Sequence, residues 1–357
     1  MSFNPKEPFN LPALPPKTNL DTVSILKALN DASRAIGELK GYCSSIPNPM
    51  MLMSMAVAKE SVESSKIEDI HTTVENVLEG QILPEKELKR EDKEVLRYRE
   101  AMNHGYRMFK DVGLTTRAML GIHEKLIAGS AGFRRLQNAI MNDRTGEKVY
   151  TPPLAKELSD HLGRWENYVN GDSKGELDPL IRCAISHYQF EAIHPFGDGN
   201  GRTGRILLSL QIVSEGLLAF PVLYMSGYLN KNRAEYYHTL MGVTEREDWE
   251  GFVLFMLRGF TTQAEKTKQK LFIMMAEYEL MKEIIREKHP KMNAIDTVNH
   301  LFASPVTTPK FFSEELKIHY QTATKYLNEL KSSGILRDTK LGKNRLFYNV
   351  RLFELIN

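Results

Sequence analysis

The sequence predicts a mainly α-helical protein that carries one β-hairpin and ends in a winged-helix domain. Apolar residues recur with helical spacing through most of the chain between positions 21 and 288. The turn sequence NDRTGE at 142–147 separates two short apolar runs, which is typical of a hairpin. Beyond Pro290, three helical segments precede two strands around the sequence LGKN, and this order is the winged-helix pattern.

The composition favours a protein of the reducing cytosol. The chain has 357 residues, enough for two or three domains, and its 47 basic and 45 acidic residues leave a net charge of +2, which indicates neither nucleic-acid nor anionic-membrane binding. Cys43 and Cys183 are far apart and form no CxxC pair, which argues against a disulfide framework or a zinc site. No signal peptide is expected in residues 1–17, and polar side chains interrupt the apolar segment 206–229, so we expect a cytoplasmic protein.

The N-terminal region, residues 1–110, is predicted to be an extended arm followed by helices. Five prolines within residues 1–18 favour the arm. Residues 51–70 contain neither Pro nor Gly and suit a long helix, whereas residues 79–94 are predicted to be a polar loop that enters the next helix.

The predicted core, residues 111–265, holds the hairpin and several helices. A helix over 115–128 ends at a glycine-rich stretch. Asp178 offers an N-cap and Pro179 a first-turn residue for a later helix. That helix should end near His194, because the residue before a proline avoids helical geometry.

The next helix is expected to begin near Gly201 and to stop at Gly216. Residues 248–288 suit one or two long charged helices, of which residues 266–290 form a linker helix. The winged-helix domain is assigned to residues 291–357.

The segment HPFGDGNGRTGR at 194–205 concentrates polar and charged residues between two of these helices. Gly199 and Gly201 allow backbone N–H groups to point into one concavity, and the following helix N-terminus adds its positive end. Together they form an anion site. Arg202 and Arg205, three residues apart, can clamp phosphate oxygens.

Three further side chains extend this chemistry. A carboxylate at Asp198 would oppose a bound anion unless a Mg²⁺ ion lies between it and the phosphates. Asn200 can donate to a phosphate oxygen, and His194 titrates near neutrality and could accept a proton from a nucleophile. The segment therefore predicts a Mg²⁺–polyphosphate site with a base beside it. A glycine-rich turn with solvated arginines is the structural alternative.

The same segment resembles the signature of the Fic family (filamentation induced by cyclic AMP), HxFx[D/E]GNGRxxR, at every defined position. The resemblance covers about residues 50–260, and a winged helix is a known companion of such cores. It implies an enzyme that transfers AMP from ATP to a Tyr, Thr or Ser hydroxyl of a protein. Gly201 matches the AMP-transferring pattern, whereas a phosphorylating branch has Lys there; a phosphocholine-transferring relative is also known.

The resemblance implies a role for each matching residue. His194 would deprotonate the target hydroxyl, and Asp198 would hold Mg²⁺ against the α- and β-phosphates. Asn200 and the flanking glycine backbone would stabilise the transferred phosphate, the two arginines would grip the β- and γ-phosphates, and Phe196 would anchor the loop. The implied nucleotide-binding set is Glu68, Phe196, Gly197, Asp198, Gly199, Asn200, Gly201, Arg202, Arg205, Tyr236 and Tyr237.

A second segment, SSKIED at 64–69, resembles the inhibitory motif of the family, [S/T]xxxE[G/N]. Ser64 and Glu68 are four residues apart and face the same side of a helix. Glu68 could pair with Arg205 and remove it from the γ-phosphate, so that ATP binds unproductively. Asp69 departs from the Gly or Asn of the family, and a solvent-facing glutamate is the alternative.

The hairpin resembles the flap of the family, which pairs with the target backbone and places its hydroxyl over the α-phosphate. Two of its residues stand where Gly-Gly is frequent, so target choice is expected to differ; these are Met141 and Asn142. A plain surface hairpin is the alternative. The strand expected to contact the target is Asn138, Ala139, Ile140, Met141 and Asn142.

The segment LNKNRAEYYHTL resembles the part of the family that closes on the adenine. Tyr236 and Tyr237 are the candidates for this contact. Core packing is the alternative, because an aromatic pair on a helix most often lies in the core.

Other functions stay open. His187, Glu191 and His194 share a helical face and could hold a metal, although their spacing is not HExxH. The helix TATKYLNELKSSG could enter a DNA major groove, with Lys325 and Lys331 near phosphates. The phosphate site could also remove AMP from a protein, with the inhibitory glutamate positioning a water. The expected partner is a protein with a hydroxyl side chain; self-modification, a homodimer and DNA are further alternatives.

Overall fold

The computed structural model describes residues 3–46, 49–142, 145–171 and 177–356, and within these ranges the protein is mainly α-helical, which confirms the predicted fold class. The first helices are α1 (Val23–Ser44), α2 (Pro49–Ile67), α3 (Val74–Gly80), α4 (Arg90–Val112) and α5 (Thr116–Leu126). The central helices are α6 (Leu158–Asn170), α7 (Pro179–Ile193), α8 (Asn200–Ser214), α9 (Ser226–Lys231), α10 (Arg233–Arg246) and α11 (Trp249–Lys288).

Helices α7 and α8 lie at the centre of the core. Most side chains of both helices are buried on all sides, which explains why neither has a single apolar stripe. As predicted, Asp178 caps α7 by accepting a hydrogen bond from the N–H of Leu180 at 2.8 Å, and Pro179 lies in the first turn. Helix α8 ends at Ser214, and Gly216 follows with a φ of 69°.

The segment 79–94 leads into a helix, as predicted, since α4 begins at Arg90. The carboxylates of Glu91 and Asp92 in the first turn favour the positive end of this helix. The 3₁₀ turn at Glu85–Glu87, inside the predicted loop, was not predicted.

The hairpin consists of two short antiparallel strands, β1 (Ile140–Met141) and β2 (Lys148–Tyr150). Positions 143–144 of the predicted turn lie outside the described residues. The N-terminal arm runs beside β2, where the N–H of Phe9 donates to the carbonyl oxygen of Thr151 at 2.9 Å. Strand β2 is therefore paired with β1, and the N-terminal arm binds the residue that follows β2.

The C-terminal region combines helices with a three-stranded antiparallel sheet in the order β3-β5-β4. The three helices and the β4–β5 ribbon follow the predicted order, whereas β3 and α15 were not predicted. Both lie next to the ribbon: β3 pairs with β5, and α15 follows β5 directly. The elements are α12 (Ala294–Ala303), β3 (Val306–Thr307), α13 (Pro309–Leu316), α14 (Tyr320–Ser332), β4 (Leu336–Leu341), β5 (Asn344–Asn349) and α15 (Val350–Ile356).

Helix α11 is a single helix of 40 residues, where the sequence allowed one or two. It packs against α1, α7 and α10 and also against α12 and α15. The predicted boundary at 265–266 falls inside this helix, so the division of the chain into four regions stays a prediction. No helix in the described ranges is long and apolar enough to cross a membrane.

Candidate active site

The segment 194–205 forms a tight loop, residues 194–199, between α7 and α8 and then the start of α8. Helix α7 ends at Ile193, and His194 takes a left-handed conformation with a φ of 49°, which turns the chain out of the helix. Gly199 has a φ of 75° and is the residue before α8. Helix α8 begins at Asn200, one residue earlier than predicted, so its free N–H groups face the loop.

Asn200 closes this loop with both groups of its side chain. Its Oδ1 accepts from the N–H of Phe196 at 2.8 Å, and its Nδ2 donates to the carbonyl oxygen of Phe196 at 2.9 Å. These bonds leave one amide hydrogen for the phosphate contact, which stays a prediction. Phe196 is fully buried, as expected of an anchor.

His123, on α5, supports the loop through contacts with Phe196 and Asp198, and the sequence did not indicate this role. Its ring stacks on Phe196 with 3.7 Å between ring centroids, and its Nε2 lies 2.9 Å from the carbonyl oxygen of Asp198. Its Nδ1 lies 2.7 Å from Oγ of Ser130. Burial lowers the pKa of His123, so the neutral ring donates from Nε2 to Asp198 and accepts from Ser130 at Nδ1.

His194 is held as a neutral base. Burial lowers the pKa of its ring to about 4. Its Nδ1 lies 3.3 Å from the carbonyl oxygen of Glu191, which can only accept, so Nδ1 carries the proton. The lone pair therefore lies on Nε2, where an incoming hydroxyl could deliver a proton.

Arg205 is buried and contacts the predicted inhibitory segment on α2. Its Nη2 lies 2.7 Å from Oε1 of Glu68 and 3.0 Å from the carbonyl oxygen of Ser64. Its Nε donates to Oγ of Ser64 at 2.7 Å. Burial alone would raise the pKa of Glu68, but the Arg205 guanidinium outweighs it and the net pKa is lowered. Glu68 is therefore an anion, paired with Arg205.

Glu68 also lies against the first turn of α8. A Cβ atom added to Gly201 would lie 2.6 Å from Oε1 of Glu68 and 2.8 Å from Nη1 of Arg205. Any larger residue at this position would make both charged groups shift. The carboxylate thus lies at the helix end where the sequence predicts an anion site.

Asp69, which departs from the family pattern, has a φ of 57°. This left-handed conformation suits glycine and asparagine, and aspartate tolerates it better than most other residues. Its carboxylate lies 3.1 Å from Nη1 of Arg233 on α10. This conformation explains why Gly or Asn is usual at this position in the family. It also explains how Asp69 can take their place in the turn after α2.

Arg202 lies between two carboxylates. Its guanidinium is 3.6 Å from Oε2 of Glu94 on α4 and 3.6 Å from Oδ2 of Asp198. The Asp198 side chain is 76% exposed, so its carboxylate is open to solvent. Gly197 beside it has open space around its Cα.

Glu60 fixes α2 to the core two turns before Glu68, and no pattern in the sequence indicated it. Its carboxylate accepts from the hydroxyl of Tyr98 and from the N–H of Ser226, both at 3.1 Å. It also contacts Oγ of Ser226. Burial raises the pKa of Glu60. Helix α2, which carries the predicted inhibitory segment, is therefore attached to α4 and α9 by a buried polar network.

The two candidate tyrosines have different surroundings. Tyr236 is 2% exposed, and its hydroxyl lies 2.8 Å from Nε2 of His187, so its ring is not available to stack on a base here. Core packing, the alternative, describes Tyr236. Tyr237 is 44% exposed and stays the candidate for the adenine contact.

The metal alternative on α7 finds no support in the geometry. Burial lowers the pKa of His187 to about 3 and raises that of Glu191 to about 7, which are the shifts of enclosed neutral groups. His187 is bound to a tyrosine, and His194 has left the helix. Within the described ranges, no group of three His, Cys, Asp or Glu side chains is arranged to hold a metal.

The hairpin lies against the loop, with its predicted contact strand partly exposed. Asn138 Nδ2 donates to the carbonyl oxygen of Phe196 at 3.3 Å, and Ala139 and Ile140 are partly buried. Met141 is 44% exposed, and Asn142 is exposed beside it.

The two lysines proposed to approach DNA lie close to carboxylates of the chain itself. Nζ of Lys331 is 2.6 Å from Oδ1 of Asp338, and Nζ of Lys325 is 3.9 Å from Oε1 of Glu329. These pairs reduce the positive charge that a phosphate backbone would meet.

The comparisons with known proteins define the class. Sequence models of the Fic/DOC family match residues 26–107, described as the N-terminal part, and residues 113–212, and together they cover more than half of the chain. The chain belongs to the Fic/DOC family. Residues 278–352 match the C-terminal domain described as protein adenylyltransferase SoFic-like.

Two relatives with known names match parts of the chain. The chain is 35% identical over 109 residues to protein adenylyltransferase fic-1 of Caenorhabditis briggsae, which is 30% of this chain and 20% of the relative. It is 30% identical over 151 residues to protein adenylyltransferase Fic of Drosophila mojavensis, which is 42% of this chain and 27% of the relative. The matches thus span about a quarter of these relatives.

A solved structure of a Fic family protein from Desulfovibrio desulfuricans G20 shares the fold over nearly the whole chain. The TM-score is 0.59 at 21% identity, and the match covers 95% of this chain and 98% of that one. Fic-1 (residues 134–508) from C. elegans matches with a TM-score of 0.52 at 22% identity, over 71% of this chain and 74% of that one.

Proposed function

We propose that this chain transfers AMP from ATP to a hydroxyl side chain of a protein, and that Glu68 holds it in an inhibited state. The position of Glu68 is the observation that carries the proposal. Its carboxylate pairs with Arg205 and lies over Gly201, at the helix end that favours an anion. An acidic side chain at this point acts as a stand-in for a terminal phosphate. The names of the matched relatives support the same chemistry.

In the proposed reaction, the target hydroxyl oxygen attacks the α-phosphorus of ATP. Its proton passes to Nε2 of His194, the P–O bond to the β-phosphate breaks, and pyrophosphate leaves. The N-terminus of α8 and the guanidinium of Arg202 supply positive charge to the phosphates. General-base catalysis of this kind typically contributes about 10² to 10⁴ in rate.

A Mg²⁺ ion fits beside Asp198. Mg²⁺ is usually bound by one or two carboxylates together with phosphate oxygens and water, and Asp198 offers one exposed carboxylate next to the predicted phosphate loop. When bound, the ion would neutralise charge on the α- and β-phosphates. Asp198 would hold it, and Arg202, now 3.6 Å from that carboxylate, would be free to contact phosphate.

Inhibition follows from charge and from shared donors. The Glu68 anion repels a phosphate that approaches the same turn of α8. Arg205 donates to Ser64 and Glu68 and would have to give up the bond to Glu68 before it gripped a γ-phosphate. ATP would then bind in a pose that does not present its α-phosphorus correctly.

The proposal is tested by transfer of label from α-³²P ATP to protein, with Mg²⁺ and the Glu68→Gly variant. Self-labelling suffices, so no target has to be known. We expect label from α-³²P ATP and none from γ-³²P ATP, with loss of the label in the Glu68→Gly, His194→Ala double variant. ATP binding without label from either nucleotide would overturn transfer of AMP.

The reverse reaction makes a different prediction in the same assay. If the site removed AMP from a modified protein, pre-labelled protein would lose its label on addition of the wild-type chain, and Glu68→Gly would be slower. Under our proposal, Glu68→Gly adds label and the wild-type chain does not remove it.

A further inference from the structure

Arg134 joins the candidate base to the hairpin, and no step of the proposed reaction has yet used it. It lies between α5 and the hairpin and is only 8% exposed. Its Nε donates to the carbonyl oxygen of His194 at 3.0 Å, and its backbone N–H donates to that of Pro195 at 2.9 Å. One residue therefore holds both peptide units at the start of the loop.

The other end of the same guanidinium holds the two sides of the hairpin. Nη2 donates to the carbonyl oxygen of Pro153 at 2.5 Å, and Nη1 lies 3.4 Å from that of Leu136. Pro153 follows β2, and Leu136 precedes β1. The hairpin is thus attached to the loop at its base, through a planar group whose donors have fixed directions.

The chemistry of these contacts suits arginine and no other side chain. The acceptors are backbone carbonyl oxygens of three separate residues, which a planar fork of five N–H donors can reach together. A lysine would bring a charge but a single nitrogen, and could not hold all three. Burying a cation costs free energy, so its retention here points to a positional role.

The contacts of Arg134 would affect how a target protein is presented to His194. His194 lies in a left-handed conformation, and its carbonyl group is fixed by Arg134, so the orientation of its peptide and ring depends on this bond. The hairpin strand 138–142, predicted to pair with a target, is fixed by the same group. The distance between the target backbone and the base would then depend on Arg134, the one side chain that binds both the carbonyl group of His194 and the two ends of the hairpin.

We propose that Arg134 is a positioning residue that fixes the distance between the hairpin and His194. This rests on the proposed function, since it concerns how a target hydroxyl meets the base. Two properties would depend on Arg134: the order of the hairpin, and the rate of transfer at saturating ATP. The affinity for ATP would not, because the phosphate contacts belong to α8.

The experiment compares Arg134→Lys with Arg135→Lys, its exposed neighbour, both in the Glu68→Gly background. Hydrogen exchange followed by mass spectrometry reports on the hairpin peptides from 136–142 and 145–153, and α-³²P labelling reports on transfer. For Arg134→Lys we expect at least tenfold faster exchange in these peptides and an unchanged C-terminal region. We also expect at least tenfold slower transfer at saturating ATP, with the ATP concentration for half-maximal rate within twofold. Arg135→Lys should change neither.

Unchanged exchange in the hairpin of Arg134→Lys would overturn the proposal, whether or not the protein transfers AMP. Faster exchange with an unchanged transfer rate would also overturn it, because Arg134 would then be structural only. If Glu68→Gly itself transferred no label, the proposed function would fail, while the exchange data would still decide whether Arg134 orders the hairpin.

Discussion

Glu68 and Arg205 are 137 residues apart in the sequence and form an ion pair of 2.7 Å between Oε1 and Nη2. Arg205 lies in the second turn of α8, and Glu68 is in the turn that ends α2. Ser64, one turn earlier on α2, accepts from Nε of the same arginine. The position of α2 and the state of the phosphate loop are therefore linked through one guanidinium.

Loosening α2 at a distance should release this link. Glu60→Ala removes the acceptor of Tyr98 and of the Ser226 N–H, and is expected to cost about 2–4 kcal/mol of unfolding free energy through lost packing and unsatisfied donors. Urea unfolding measures this cost, and label transfer should rise although Glu68 is intact.

The matched control is Glu60→Gln. Because burial raises the pKa of Glu60, a neutral amide of the same shape is a close substitute. It should lose less than about 1 kcal/mol, as a volume-conserving change, and stay inhibited. Equal labelling by the Ala and Gln variants would show that α2 is not held through this residue.

The pH dependence of transfer should reflect the lowered pKa of His194. The base is active when deprotonated. Because its pKa is about 4, below the ordinary value of 6.5 for histidine, His194 stays deprotonated at pH values well below 6.5. In Glu68→Gly, loss of a nearby carboxylate should lower this pKa further. We expect kcat/KM for ATP to stay level from pH 8 to about pH 5, measured by initial labelling rates. A profile that halves near pH 6.5 would contradict a buried neutral base.

The loop should depend on His123 for its shape. His123→Phe keeps a ring on Phe196 but removes the bond to the carbonyl oxygen of Asp198. Loss of about 1 to 1.4 kcal/mol of loop stabilisation corresponds to about five- to tenfold weaker binding of a non-hydrolysable ATP analogue with Mg²⁺. Calorimetry in the Glu68→Gly background measures it. His123→Ala, which also loses the stack, should bind more weakly still; equal affinities for all three proteins would dismiss the support role.

The end of α2 should tolerate residues according to their backbone preference. Asp69 has a φ of 57°, so Asp69→Gly should leave the unfolding free energy nearly unchanged, since the pair with Arg233 is exposed and contributes little. Asp69→Val, a β-branched residue at positive φ, should lose about 1–2 kcal/mol. Thermal unfolding of both variants checks this order, and a more stable Val variant would contradict the left-handed turn.

The sequence predicted the local parts of the site well. The end of α7 near His194 follows from Pro195 and the start of α8 follows, within one residue, from the glycines, whereas the buried ring of Phe196 was expected from the family resemblance. The contact between Glu68 and Arg205 was expected only because the family resemblance connected two distant segments.

The supporting residues could not be predicted in this way. His123 and Arg134 contact the loop, and Glu60 joins α2 to α4 and α9. These contacts arise from tertiary packing, and no sequence pattern marks any of the three residues. Tyr236 had the right residue type for an adenine contact, but its position on α10 turns it into the core against His187. Side chains that hold a site from behind depend on how helices pack, which a local sequence pattern does not contain.

The most direct measurement of the central claim is the rate of α-³²P label transfer by the wild-type chain and by Glu68→Gly at equal concentration, with ATP and Mg²⁺. Loss of the Glu68 carboxylate should free Arg205 and raise the transfer rate at least tenfold. The increase should be proportional to the fraction of molecules in which Arg205 is no longer paired with Glu68. Glu63→Gln, which removes a carboxylate from α2 but keeps an acceptor for Asn230, is the matched control and should stay inhibited. Equal transfer by the wild-type chain and Glu68→Gly would contradict inhibition through this ion pair.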